Sequence, residues 1–152
     1  MGKETLYNKK SKPELKKIIN EEKFNRQTIS FYKYLRLNNL NQLRDKIYKS
    51  WDSLNILGRV YIAKEGINAQ ISIPDNNLNF FKNQLESQFN FGNLTFKNAI
   101  VEGTSFYKLV VKIKNEIVAY NVSSKEYDMN NVGKHLDYRE FNQSINEGAV
   151  VL

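Results

Sequence analysis

The stretch GRVYIAKEGINAQ, residues 58–70, decides how this chain folds. Residues 59–63 and 67–73 are rich in β-branched side chains and flank a tight Lys64-Glu65-Gly66 connection, which predicts a β-hairpin. Successive side chains on a strand point to opposite faces, so Ile67, Ala69, Ile71 and Ile73 share one face and Asn68, Gln70 and Ser72 the other. On the first strand Val60 and Ile62 stand opposite Arg59 and Tyr61. One side of the hairpin is core material. The other offers Arg, Tyr, Asn and Gln, side chains that lose rotamer entropy when ordered together and so read as a contact surface.

Outward from the hairpin, residues 28–35 form an aromatic and β-branched strand. Leu40, Leu43, Ile47, Trp51 and Leu54 then recur at helical spacing and predict an amphipathic helix ending before Gly58. Pro74-Asp75 opens a second helix with Leu78, Phe81, Leu85 and Phe89 on one stripe, stopped by residues 90–93. Residues 94–102 and 106–113 read as strands on either side of Gly103-Thr104. Ser11-Lys12-Pro13-Glu14 has the form of a capping box and begins a short helix through about residue 22. A last helix spans about 137–146. The central order β-α-β-β-α-β predicts an α+β, ferredoxin-like sandwich with an antiparallel sheet, helices on one face and the other face free. Tyr32, Tyr34, Arg59, Tyr61, Asn68 and Gln70 are expected on that free face. The chain divides into a basic N-terminal arm and helix (1–27), the ferredoxin-like domain (28–120), and a linker with the last helix (121–152).

The net charge of +7 is unevenly spread. Residues 1–49 carry 13 Lys and Arg against 5 Asp and Glu, a net +8, whereas residues 50–152 carry 10 against 11, a net −1. A first third of this kind attracts polyanions, or else forms a solvated arm. Lys9, Lys10, Lys12, Lys16 and Lys17 are the expected phosphate contacts in the arm, and Lys33, Arg36, Arg59 and Lys64 those near the sheet. Tyr32, Tyr34 and Tyr61 are expected to stack unpaired bases, with Asn68 and Gln70 beside them. Tyr and Arg suit a protein interface equally well, and both readings of the face stand.

With 152 residues, 41% of them apolar, the chain has material for a sizeable core. No apolar run approaches the roughly 20 residues of a membrane helix, so no membrane partner is expected. The absence of cysteine excludes disulfides, thiolate metal sites and a cysteine nucleophile from these residues, and it fits a cytoplasmic location. His135 has no Ser or Cys partner in a recognisable nucleophile motif and reads as a residue near a helix N-terminus. Glu65, Glu102 and Asp128 have neither paired nor metal-ligand spacing; Glu65 is a functional carboxylate or a turn residue paired with Lys64 or Arg59. No bound metal or cofactor is expected.

Residues 58–70, preceded by Phe31-Tyr32-Lys33-Tyr34 and followed by the blocks at 111–118 and 130–136, resemble in order and spacing the amino-terminal domain of the rhodanese-related tRNA uridine hydroxylases. The resemblance implies a tRNA partner, molecular oxygen as co-substrate, formation of 5-hydroxyuridine at the wobble position, and a rhodanese-like domain in cis carrying the catalytic cysteine. Gly148-Ala149-Val150-Val151-Leu152 is similar to the start of that second domain's first strand, so the chain is expected to be a fragment or a truncated binding remnant that is inactive alone. An acylphosphatase-like hydrolase shares the element order. It requires a glycine-rich anion loop after the first strand, where this chain has Arg36-Leu37-Asn38-Asn39-Leu40; Arg36 and Asn68 would have to serve as its anion-binding pair.

Overall fold

A computed structural model describes residues 6–99, 104–118, 126–128 and 131–151. It divides into two compact units, Met1–Asn121 and Val122–Leu152. The first holds helix α1 (Lys12–Asn20), strand β1 (Arg26–Tyr34), α2 (Leu40–Ser53), β2 (Leu57–Ala63), β3 (Gly66–Pro74), α3 (Leu78–Ser87), β4 (Lys97–Asn98) and β5 (Leu109–Ile113), with a single 3-10 turn Asp75–Asn77 leading into α3. The second holds α4 (Tyr138–Asn146).

The strands form one sheet in the order β4-β1-β3-β2-β5. β3 is central and antiparallel to both β1 and β2. β4 runs antiparallel to β1 at one edge, and β5 runs parallel to β2 at the other. The ferredoxin-like core is as expected, with β5 added beyond β2. The two late strands, expected over 94–102 and 106–113, are shorter, with residues 100–103 outside the described set, and they occupy opposite edges. A two-residue, exposed, lysine-bearing β4 is a common way to blunt a sheet edge.

Register sets the faces. Ile29, Phe31, Val60, Ile62, Ile67, Ala69, Ile71 and Ile73 all turn toward α2 and α3 and are almost wholly buried. Trp51 of α2 and Phe81 of α3 meet them, their rings 5.1 Å apart, with Phe31 6.4 Å from Trp51 and 6.3 Å from Phe81. Each such ring removes roughly 150–250 Å² from water, which makes this cluster the main source of hydrophobic stabilisation. The stripe read from Leu78 to Phe89 holds, although α3 ends at Ser87; Asn90 and Gly92, at φ 53° and 64°, turn the chain back.

α1 is joined to the sheet by one polar hub. Arg26 donates two 2.6 Å hydrogen bonds to the Glu22 carboxylate and others to the carbonyls of Asn55 (2.8 Å) and Ser72 (3.2 Å). The pair is only 12% and 14% exposed, and a bidentate fork of this kind fixes orientation as well as charge. The arm thus belongs to the same compact unit as the sheet.

The hairpin depends on two glycines. A Cβ on Gly66, at φ 153°, would lie 2.1 Å from the Lys33 carbonyl oxygen, and one on Gly58, at φ 140°, 2.2 Å from that of Gln70. Neither Lys64 nor Glu65 takes a positive φ, so the left-handed backbone that two-residue hairpins ordinarily need in the loop falls instead on Gly66. Gly66→Ala should therefore lower the midpoint of urea unfolding by the equivalent of about 2–4 kcal/mol, combining strain with a forced backbone shift. Gly133→Ala, with nothing within 4 Å, should stay within about 0.5 kcal/mol of wild type.

In the second unit, Asp137 caps α4 by accepting from the Arg139 and Glu140 amides, and Glu140 accepts in turn from the Asp137 amide. The Lys134 ammonium, 2.6 Å away, and then the Asp137 amide hold the Glu140 carboxyl below its ordinary 4.5. A depressed folded-state value stabilises above the unfolded value and is lost as pH falls through the folded one. Amide NMR should show α4 fraying as pH drops below 4.5, with a smaller change in Glu140→Gln.

Candidate functional site

The sheet surface turned away from the helices is polar. Register places Tyr32, Asn68 and Tyr61 side by side, with Lys112 next to Tyr61 on β5. The adjoining row is Ser30, Gln70, Arg59 and Val110. Tyr32 is 55% exposed; Arg59, Gln70 and Lys112 are exposed, and Tyr34, Tyr61 and Asn68 half-buried. Tyr32 and Tyr34 meet edge to face at 6.1 Å, and the Lys114 ammonium lies 5.3 Å from the Tyr61 ring centre. All six residues expected on this face are on it.

The face is not free along its whole length, which corrects the expectation. At one end the approach to β5 passes over it: Ser105 Oγ lies 3.4 Å from Thr28 Oγ1, and Ser72 is buried. At the other end Glu65 Oε1 accepts the Ile117 amide at 2.8 Å, and Ala63 and Ile117 are buried. The exposed part is a trough between two crossings of the chain, floored by the two rows above. Glu65, read as a functional carboxylate or a partner of Lys64 or Arg59, anchors through this bond the segment that follows β5.

The basic residues separate into groups. Lys10 and Lys12 line a cleft of about 310 Å³ together with Arg59, Phe106, Lys108 and Val110. The Arg59 guanidinium lies over the Phe106 ring at 5.8 Å from its centre, and Lys16 lies 5.9 Å from that of Tyr107. Lys9 is exposed, and Lys17 is 3.9 Å from Glu21. Lys33 does not join the trough: its strand parity turns it away from Tyr32, and its ammonium donates to the Asn93 carbonyl at 2.8 Å. Arg36 and Lys64 are exposed in the two loops at the hairpin-turn end, which are tied by the Leu37 amide donating to the Lys64 carbonyl at 2.9 Å.

Three further cations, Lys108 in the cleft and Lys112 and Lys114 beside the trough, carry no assignment from the sequence. Their signal is the alternation of β5, where Leu109 and Val111 are buried and Lys108, Lys112 and Lys114 share the parity of Val110 on the opposite face. Which strand β5 would join, and hence that Lys112 and Lys114 lie beside the trough and Lys108 in the cleft, is not encoded in that alternation.

No catalytic constellation is assembled among the described residues, and none of them form a group of three or more metal-ligating side chains. His135 and Asp128 are exposed, and Glu102 lies outside the described residues. The loop after β1 is no anion cradle, because the Leu35 and Leu37 amides already donate to the carbonyls of Glu65 (3.0 Å) and Lys64 (2.9 Å). No helix of the described residues is long and apolar enough to cross a membrane.

Strand order and helix placement define an acylphosphatase-like α+β domain whose free sheet face has become a basic, tyrosine-bearing trough. The chain belongs to the family described as the UPF0176 acylphosphatase like domain, which matches residues 26–117. It is 46% identical over 99% of its length to a tRNA uridine(34) hydroxylase of Leptospira interrogans, and 40% and 39% identical, each over 93% of its length, to proteins of that name from Hamiltonella defensa and Escherichia fergusonii. It spans about 41% of the length of each of these relatives. Among solved structures, the dark state of BlrB, a BLUF protein, covers 83% of this chain and is itself covered to 98%, at a TM-score of 0.46 and 10% identity.

The occupied loop amides carry a direct consequence. Hydrolysis of benzoyl phosphate by the purified chain should stay at the spontaneous rate, and Arg36→Ala and Asn68→Ala should leave it there. Turnover abolished by either change would restore the hydrolase reading.

Proposed function

We propose that this chain is the tRNA-docking domain of an enzyme that hydroxylates uridine at the wobble position, and that the trough holds unpaired nucleotides of the anticodon loop. The observation that carries the reading is the exposed floor, where Tyr32 and Tyr61 lie in one row with Lys112 at its end and Arg59 in the next row. Sequence-specific RNA recognition mostly targets unpaired loops, whose bases stack on aromatic rings or guanidinium planes while cations meet the phosphates. A uridine at position 34 lies in such a loop, and relatives named for that uridine match nearly the whole chain.

The reaction belongs to parts beyond these residues. A cysteine-bearing, rhodanese-like domain in cis would act on the docked uridine with molecular oxygen as co-substrate, and the protein would work in the cytoplasm with its tRNA. The residues here bind and orient. Without cysteine they are not expected to turn over substrate alone.

Replacing Arg59 and Lys64 together by Ala should weaken tRNA binding and reduce the slope of log affinity against log salt by about 1 per lost phosphate contact. Fluorescence anisotropy across a salt series reads both quantities. Unchanged affinity and slope would reassign the face to protein contact.

A further inference from the structure

The cleft between the N-terminal segment and the approach to β5 shares Arg59 and Val110 with the trough floor, so the two surfaces are continuous. Of the charged residues lining it, Lys10, Lys12, Arg59 and Lys108 are basic, and no carboxylate is among them. All four are exposed, and none forms an ion pair among the described residues. Four like charges around about 310 Å³ repel one another in the empty state, offset only at Lys10 by the Glu14 carboxylate nearby, and a bound anion relieves that repulsion.

The cleft is also preorganised. Its lysines come from two separate segments. The segment carrying Lys10 and Lys12 leads into α1, whose far end is held by the Glu22–Arg26 fork. Lys108 is fixed where its carbonyl accepts the Gly58 amide at 2.9 Å. The Phe106 ring holds the Arg59 guanidinium at the rim, so the planar fork suited to phosphate oxygens loses little freedom on binding. Adjacent rows of the trough are two residues apart, a step of about 6.7 Å along the strands, so a strand stacked on the Tyr32–Tyr61 row reaches the cleft within a few nucleotides.

We propose that this cleft is a phosphodiester subsite for the unpaired RNA strand as it leaves the trough, with Arg59 shared between the two and Lys10, Lys12 and Lys108 completing the anion site. This rests on the docking role proposed above and adds a place and a direction to it. The N-terminal lysines then act at one fixed position rather than as a diffuse charge.

The test compares wild type with Lys12→Ala/Lys108→Ala, both exposed positions, on tRNA and on oligouridylates of roughly four to sixteen nucleotides, the range of single-strand site sizes known for OB folds. The double variant should bind tRNA and the longer oligomers about fivefold or more weakly, with the salt slope reduced by up to about 1.4, at about 0.7 per phosphate of a single strand. The shortest oligomers, seated in the trough, should bind both proteins alike. Equal loss at every length overturns the subsite in favour of general electrostatic attraction, and no loss at any length overturns it outright. Inorganic phosphate that displaces the short and long oligomers equally well would identify a free-anion site instead. Failure of the wild-type chain to bind any of these RNAs overturns the docking role itself, which separates the two claims.

Discussion

Everything on the functional face follows from one backbone constraint, the close approach of neighbouring strands to Gly58 and Gly66. β3 is hydrogen-bonded on both sides, so its register fixes that of β1 and β2 together. A slip of one residue would exchange the two faces of a strand, sending Ile67, Ala69, Ile71 and Ile73 to solvent and Asn68 and Gln70 into the core. The hydrophobic pattern already opposes that slip. The glycines oppose it again by steric means, because only residues without Cβ fit 2.1–2.2 Å from where the Lys33 and Gln70 carbonyl oxygens lie. Tyr32, Asn68, Tyr61 and Arg59 are neighbours because both devices select the same pairing.

This redundancy explains how much of the fold was legible in the sequence. Alternation at 59–63 and 67–73, and the helical spacing of Leu40, Ile47 and Trp51, are local signals with a single packing solution, and the structure realises them. The strand expected over 94–102 lacked such a signal. Residues 94–102 contain apolar side chains, yet Leu94 and Phe96 pack partly against the core from an irregular segment, leaving Lys97–Asn98 as the strand. Edge placement is a long-range choice. β5 joins β2 in parallel through contacts with a strand some fifty positions earlier, and a local pattern does not specify which edge is taken.

The candidate site divides along the same line. The six residues expected on this face could be named from alternation within β1, β2 and β3. The cations could not be sorted, because a lysine's role depends on what lies within reach of a long flexible stem. Lys33 sits between Tyr32 and Tyr34 in sequence and yet turns to the Asn93 carbonyl, while Lys108, far away in sequence, joins Arg59. Glu65 shows the same limit. Its place in a hairpin turn pointed to a functional carboxylate or to Lys64 and Arg59 nearby, with no hint of the amide 52 positions later in the chain that it accepts from.

On the docking role proposed above, the trough also accounts physically for how a domain with no catalytic constellation among its described residues can matter to a reaction. Holding a reacting group in a fixed orientation lowers a barrier by removing translational and rotational freedom beforehand, and this requires rigidity at the docking surface rather than perturbed side-chain chemistry. Rigidity is what the face supplies: its floor is strand backbone fixed on both sides, its ends are closed by the Thr28–Ser105 contact and the Glu65–Ile117 bond, and Arg59 is held against Phe106. A face assembled from mobile loops could present the same side chains, but each nucleotide bound would then also have to order the surface that receives it. Here that ordering is completed when the core folds, so on the docking role proposed above the entropy left to overcome would be mainly that of the strand entering the trough.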